Sequence, residues 1–243
     1  MAQDRKTPAS RPQAPAPDSV SSRSEIDAFV REARTLGSNR PTGARGRLIF
    51  ALDATMSRQP TWDTACQLQA EMFQETAAIG GLDVQLVYFR GFGECRASRW
   101  VADPAGLAGL MGRIDCRGGH TQIYKVLRHT RDETRRKPVQ ALVYIGDCME
   151  ESIDELCQLA GEIALTGTRA FMFHEGRDPT AERAFREIAR LTGGAYCRFD
   201  AGSAQQLREL LAAVAVFAAG GRKALADYGR RGSQARLLLQ QLS

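Results

Sequence analysis

Asp53, Thr55 and Ser57 stand at alternate positions directly after the apolar run Arg47 to Leu52, within Asp53-Ala54-Thr55-Met56-Ser57. Alternation just past a buried strand sends all three side chains to one spot, and three oxygen donors meeting there suit a hard cation. A second apolar run, Ala141 to Ile145, ends in Gly146-Asp147. Ligands in open α/β sheets sit in the crevice outside the carboxyl ends of the strands, so two strands that each deliver an acid predict one shared site. Taken singly, each residue has a plainer use. Asp53 could be a solvated turn acid or a cap for a helix starting near Pro60, and Ser57 and Thr121 could be helix N-caps.

Such a crevice needs elements to build it, and hydrophobic spacing supplies them from residue 47 onward. Strands are expected over 47–52, 83–90, 95–101, 139–145, 168–173 and 195–199, and helices over 61–79, 104–113, 121–136, 152–166, 179–192 and 203–218. Ser152 with Glu155 and Ser203 with Gln206 have capping-box spacing, while Asp178 before Pro179 places an N-cap ahead of a first-turn proline. Gly91-Phe92-Gly93 joins two strands tightly and predicts an antiparallel pair; the remaining strands return through helices and should run parallel. The expected fold class is α/β, a doubly wound, mostly parallel six-stranded sheet with one antiparallel edge strand and helices on both faces.

Outside this core, residues 1–23 are rich in Pro, Ala and Ser and are expected to form a disordered tail. Residues 24–45 hold a helix, with Ile26, Phe29, Val30 and Ala33 at helical spacing, and a linker. Residues 46–219 form the domain. Residues 220–243 are a basic tail in which Gly220-Gly221 ends the last domain helix and Ala235, Leu238, Leu239 and Leu242 recur as in a short amphipathic helix. That helix needs something to dock on: its own domain, a second copy or a partner.

The strand running into Asp-x-[Ser/Thr]-x-Ser, the Gly-rich loop carrying Thr121 ahead of a helix, and the later strand ending in Gly146-Asp147 resemble the von Willebrand factor type A (VWA) domain and its metal-ion-dependent adhesion site. The resemblance spans roughly residues 46–218, including the order of elements. It implies a Rossmann-like fold and a Mg²⁺ site, with Mn²⁺ or Ca²⁺ as alternatives, on Asp53, Thr55, Ser57, Thr121 and Asp147. Three positions depart from the pattern. Thr55 replaces the more frequent Ser, Met56 stands where Gly is often found, and His120 precedes Thr121 where Gly is usual. They bear on the affinity of the site, and His120 either flanks the ligand position or is a plain loop side chain.

Composition narrows the classes. The 243 residues, 43% of them apolar, suffice for one domain with a sizeable core. Six cysteines without Cys-x-x-Cys spacing read as reduced thiols, and Cys148, beside Asp147, has no His next to it in sequence to activate it. The net charge of +5 comes from the two basic ends, while the middle of the chain is slightly acidic, which disfavours nucleic-acid binding by the folded surface. Trp62 and Trp100 read as packing residues. No signal peptide is evident, and the longest apolar stretch, 210–219, falls well short of the roughly 20 residues needed to cross a bilayer. A cytoplasmic protein is expected, and the Ala/Arg/Gly-rich composition suggests a bacterial one.

Three functions compete. The leading one is an intracellular protein–protein interaction module that grips an Asp or Glu of a partner through a Mg²⁺-dependent site, as the resemblance implies. A Mg²⁺-dependent phosphoryl-transfer enzyme of the haloacid dehalogenase type also begins with Asp at a strand end, but it needs a second Asp two residues later as general acid, where this chain has Thr55. Catalysis is therefore not expected. Nucleic-acid binding through the basic tails is the third reading, and salt dependence would expose it.

Overall fold

The computed structural model describes residues 45–77, 80–199 and 204–228. The expected N-terminal tail and helix, the Ser203 cap and the Ala235–Leu242 repeat lie outside the described residues. Within them the chain runs β1 (Gly46–Asp53), a 3₁₀ turn (Met56–Arg58), α1 (Gln59–Thr76), β2 (Leu82–Arg90), β3 (Glu94–Val101), α2 (Pro104–Met111), α3 (Ile123–Arg136), β4 (Ala141–Gly146), α4 (Ile153–Leu165), β5 (Arg169–Glu175), α5 (Pro179–Thr192), β6 (Ala195–Phe199) and α6 (Ala204–Tyr228).

The six strands form one sheet in the order β3-β2-β1-β4-β5-β6. All neighbours are parallel except β2 and β3, the pair joined through Gly91-Phe92-Gly93, so the single antiparallel strand lies at an edge as expected. From β1 the chain first adds strands on one side, then crosses to the other at β4. The point where the winding reverses, between β1 and β4, is where a doubly wound sheet opens a crevice.

Period-2 alternation sorts the core into two layers. Leu48, Phe50 and Leu52 of β1 pack with α1, α2 and α6, whereas Ile49 and Ala51 pack with α3, α4 and α5. The central strands β1 and β4 are buried along their whole length, so they read as continuous apolar runs rather than alternating ones. Each Leu, Ile or Phe taken out of water there contributes about 1.5–3 kcal/mol. Trp62 lies in the first layer, while Trp100 is half-buried, with its indole N–H donating to Glu133 at 3.0 Å and the Arg47 guanidinium 3.8 Å over its ring.

Helix ends explain where the structure and the expectations part. Asp178 caps α5 by accepting from the Ala181 N–H at 2.6 Å, and Gly193 closes that helix in the left-handed conformation, φ 60°. Asp103 caps α2 in the same way, accepting from the Gly106 N–H. Ser152 is the N-cap of α4, but its side chain makes no cap hydrogen bond, so the box read from its spacing does not close. Gly221 does interrupt α6, with φ 65° and ψ −162°, yet the helical path resumes beyond it to Tyr228, and Leu225 joins the core layer of α1. The first helical segment thus stops at the glycine pair as expected, and a second segment follows it to Tyr228.

Candidate metal centre

The carboxyl ends of β1 and β4 lie side by side, with Leu52 paired to Ile145. Asp53, the last residue of β1, is 2% exposed. Its Oδ1 accepts from the Thr55 N–H at 2.8 Å, which turns the chain and sends Thr55 and Ser57 forward with hydroxyls 3.3 Å apart. The Ser57 hydroxyl donates in turn to Asp147 Oδ2 at 3.1 Å. A chain of contacts therefore links Asp53, Thr55, Ser57 and Asp147.

One oxygen of each acid stays unsatisfied: Asp53 Oδ2 and Asp147 Oδ1 are buried with no hydrogen-bond partner. An anionic oxygen out of water without a donor is costly. Burial pushes the Asp53 carboxyl up to about 6; hydrogen bonds from Thr55 pull the other way, nearby Asp147 adds to the rise, and Arg58 opposes it. Two such oxygens beside two hydroxyls form a donor set of hard oxygens, which fits Mg²⁺, Mn²⁺ or Ca²⁺ and not a thiolate- or imidazole-seeking metal. Among the described residues no group of three or more His, Cys, Asp or Glu side chains gathers as a metal centre, so any cation here relies on two carboxylates and hydroxyls.

Thr121 stands slightly apart. Its Oγ1 accepts from the Glu150 N–H at 3.1 Å and its own N–H donates to the Glu150 carboxylate at 3.1 Å, a reciprocal clasp to the loop that carries Asp147. The helix expected to begin at Thr121 starts at Ile123, and Gln122, its N-cap, makes no side-chain cap bond. Glu151 from the Asp147 loop takes that role, accepting from the N–H groups of Ile123 at 2.6 Å and Tyr124 at 2.9 Å. His120, mostly exposed, rests its ring edge-on against Phe92 at 5.2 Å and its Nδ1 on Glu150 at 3.0 Å. Met56 and Phe92 project into solvent on the loops around the crevice.

Several residues beneath the site carried no local signal. Arg58, 3% exposed, ion-pairs with Asp147 Oδ2 at 3.7 Å and bonds directly to Glu175 at the end of β5, which also accepts from the Thr61 hydroxyl. His174, fully buried and held below the usual imidazole range mainly by that burial, makes contacts through Nδ1 with the Tyr196 hydroxyl at 2.9 Å and through Nε2 with the Asp147 carbonyl at 3.2 Å. A neutral ring can serve both, and it fixes the backbone from which Asp147 projects. Gly146 leaves room for the Tyr144 ring, because a Cβ there would lie 2.7 Å from the Tyr144 hydroxyl. Cys148 is no nucleophile: burial, with Asp147 next to it, pushes its thiol up to about 12.

No family model matches the sequence, and no curated protein matches it. Solved structures do resemble it in three dimensions. A von Willebrand factor type A protein from Catenulispora acidiphila superposes with a TM-score of 0.58 at 16% identity, covering 70% of this chain and 42% of that one. The SpRpn10 VWA domain gives 0.53 at 12% identity, covering 74% of this chain and 98% of that one. Proximal thread matrix protein 1 from the mussel byssus, in a form with a zinc-occupied MIDAS motif, gives 0.55 at 15% identity, covering 70% and 46%. The chain thus spans under half the length of the first of these, and at such identities the likeness is one of fold. The strand order, the antiparallel edge strand and these neighbours together show that the chain adopts the von Willebrand factor type A fold.

Proposed function

We propose that this chain is an intracellular protein-interaction module that binds a divalent cation, Mg²⁺ first among the candidates, at Asp53, Thr55, Ser57, Asp147 and Thr121, and through it an acidic side chain of a partner. The observation that carries the reading is the pair of buried, unpartnered carboxylate oxygens, Asp53 Oδ2 and Asp147 Oδ1, at the switch point of the sheet. A divalent ion held there would supply a positive charge with an open coordination position for the partner's Asp or Glu. Thr55 and Ser57 add neutral oxygen without cancelling more of that charge. Thr121 Oγ1 uses one lone pair on the Glu150 N–H and retains another. Exposed Met56 and Phe92 would give the partner apolar contact around the polar centre.

Binding is favoured over phosphoryl transfer because the position a general acid would need is Thr55, whose hydroxyl is engaged with Ser57. Six cysteines without Cys-x-x-Cys spacing suit a reducing compartment. No helix among the described residues is long and apolar enough to cross a membrane. The test is titration calorimetry of Mg²⁺ and Mn²⁺ into chelator-treated protein, followed by partner capture with and without metal. Saturable heat that vanishes in Asp53→Ala, with capture lost on chelation, is expected. Equal heats in the two proteins would remove the metal from the proposal, and capture indifferent to chelator would remove it from recognition.

A further inference from the structure

Arg58 is a buried base set among the acids of this crevice. It is 3% exposed, follows Ser57 directly, and spans from Asp147 Oδ2 on one side to Glu175 on the other. At that burial it cannot reach out to a partner's carboxylate. We propose that Arg58 is a built-in counter-cation: it holds the Asp147 carboxylate in place through Oδ2 when no divalent ion is bound and keeps the affinity for that ion low, because both cations draw on the charge of the same carboxylate. The inference rests on the divalent reading of the site.

Charge makes the argument. Asp53, Asp147 and Glu175 present three acids against one guanidinium, so the cluster retains net negative charge and still favours a cation. The guanidinium nevertheless sits on Asp147, and its repulsion of a second positive charge in a desolvated crevice is only weakly screened. Glu175 divides the attention of Arg58. It draws the guanidinium away from Asp147, and the Thr61 hydroxyl, donating to the same carboxylate, keeps Glu175 in position. Glu175 and Arg58 should therefore act on metal affinity in opposite directions.

The experiment measures Mn²⁺ affinity by calorimetry, and melting temperature in chelator and in Mn²⁺, for the wild type, Arg58→Met, Glu175→Gln and the double variant Arg58→Met/Glu175→Gln. Removing the guanidinium should tighten Mn²⁺ at least tenfold and make the melting temperature markedly more dependent on metal. Glu175→Gln should weaken Mn²⁺ several-fold, since Arg58 then bears on Asp147 alone. If Arg58→Met does not fold because Glu175 is orphaned, the double variant carries the test and should also bind more tightly than the wild type. A folded Arg58 variant that binds no tighter, or both single variants shifting the same way, overturns the counter-cation. Absence of binding in every protein overturns the divalent reading along with it, whereas a wild type that binds beside an unimproved Arg58 variant overturns the counter-cation alone.

Discussion

Two pairs of acids lie within a few residues of the same crevice and have opposite fates. Glu150 and Glu151 are taken up by the backbone: one accepts from the Thr121 N–H, the other from the N–H groups of Ile123 and Tyr124 at the start of α3. Asp53 and Asp147 each hold one oxygen with no donor. The first pair satisfies the orphan amides and positive end of a helix dipole, so its charge is spent on stability. The second pair keeps charge in reserve. Counting acids near a site says little about cation binding; counting their uncommitted oxygens says more.

The sharpest way to break this comparison is Asp53→Asn. With its carboxyl raised to about 6 against about 3.8 unfolded, Asp53 costs the metal-free fold stability at pH 7, roughly 3 kcal/mol from about two pKa units. The amide should raise the melting temperature in chelator and abolish the response to Mg²⁺. A variant less stable in chelator than the wild type would mean that Asp53 is already satisfied. Next in size is Glu151→Ala, which removes the cap of α3 and should cost about 1–2 kcal/mol in chemical denaturation while leaving Mg²⁺ affinity within twofold. Loss of metal binding there would erase the distinction between the two pairs.

The pH dependence is smaller and tests the Asp53 side alone. Because its folded carboxyl titrates above its unfolded value, the folded state takes up that proton first, and the Asp53 contribution to metal-free stability, read as the difference between the wild type and Asp53→Asn, should become less unfavourable as pH falls from about 6 toward 4. Protons and metal compete for the same oxygens. The stabilisation by Mg²⁺ at one to ten times its dissociation constant, about 0.4–1.4 kcal/mol at neutral pH, should fade between pH 7 and 5. Parallel melting curves with and without Mg²⁺ across that range would count against Asp53 as a ligand. Smallest of all is His120→Ala, whose exposed ring touches Glu150 and Phe92; stability should change by less than about 0.5 kcal/mol, with calorimetric Mg²⁺ affinity unaltered.

Much of the fold was legible because its cues are local. The bounds of β2, β3, α5 and β6 follow from apolar spacing and from Gly and Pro punctuation, and β1 and β4 announce themselves as short apolar runs. The break in α6 at Gly221 was legible in the glycine pair, but such a pair does not say whether packing, here of Leu225, starts a second helical segment beyond it. At the site, the spacing singled out Asp53, Thr55 and Ser57, but strand alternation ends at Asp53, and it is the turn closed by the Thr55 N–H and the 3₁₀ turn holding Ser57 that link them to Asp147. The supporting residues were not readable. Arg58 meets Glu175 across 117 positions and Glu151 caps a helix 28 positions earlier in the chain, so no spacing rule joins them. His174 looks in sequence like any strand residue, and only its place beneath the Asp147 carbonyl gives it meaning.

The alternation of β1 ties the crevice to the core in a way that limits how this chain can evolve. Asp53 shares the strand face of Ile49 and Ala51, while Leu48, Phe50 and Leu52 occupy the other. A single-residue insertion or deletion within 47–52 would exchange the two faces, drive the large side chains into the wrong layer and swing the acid away from Asp147. Drift in that strand is therefore confined to substitutions that preserve frame.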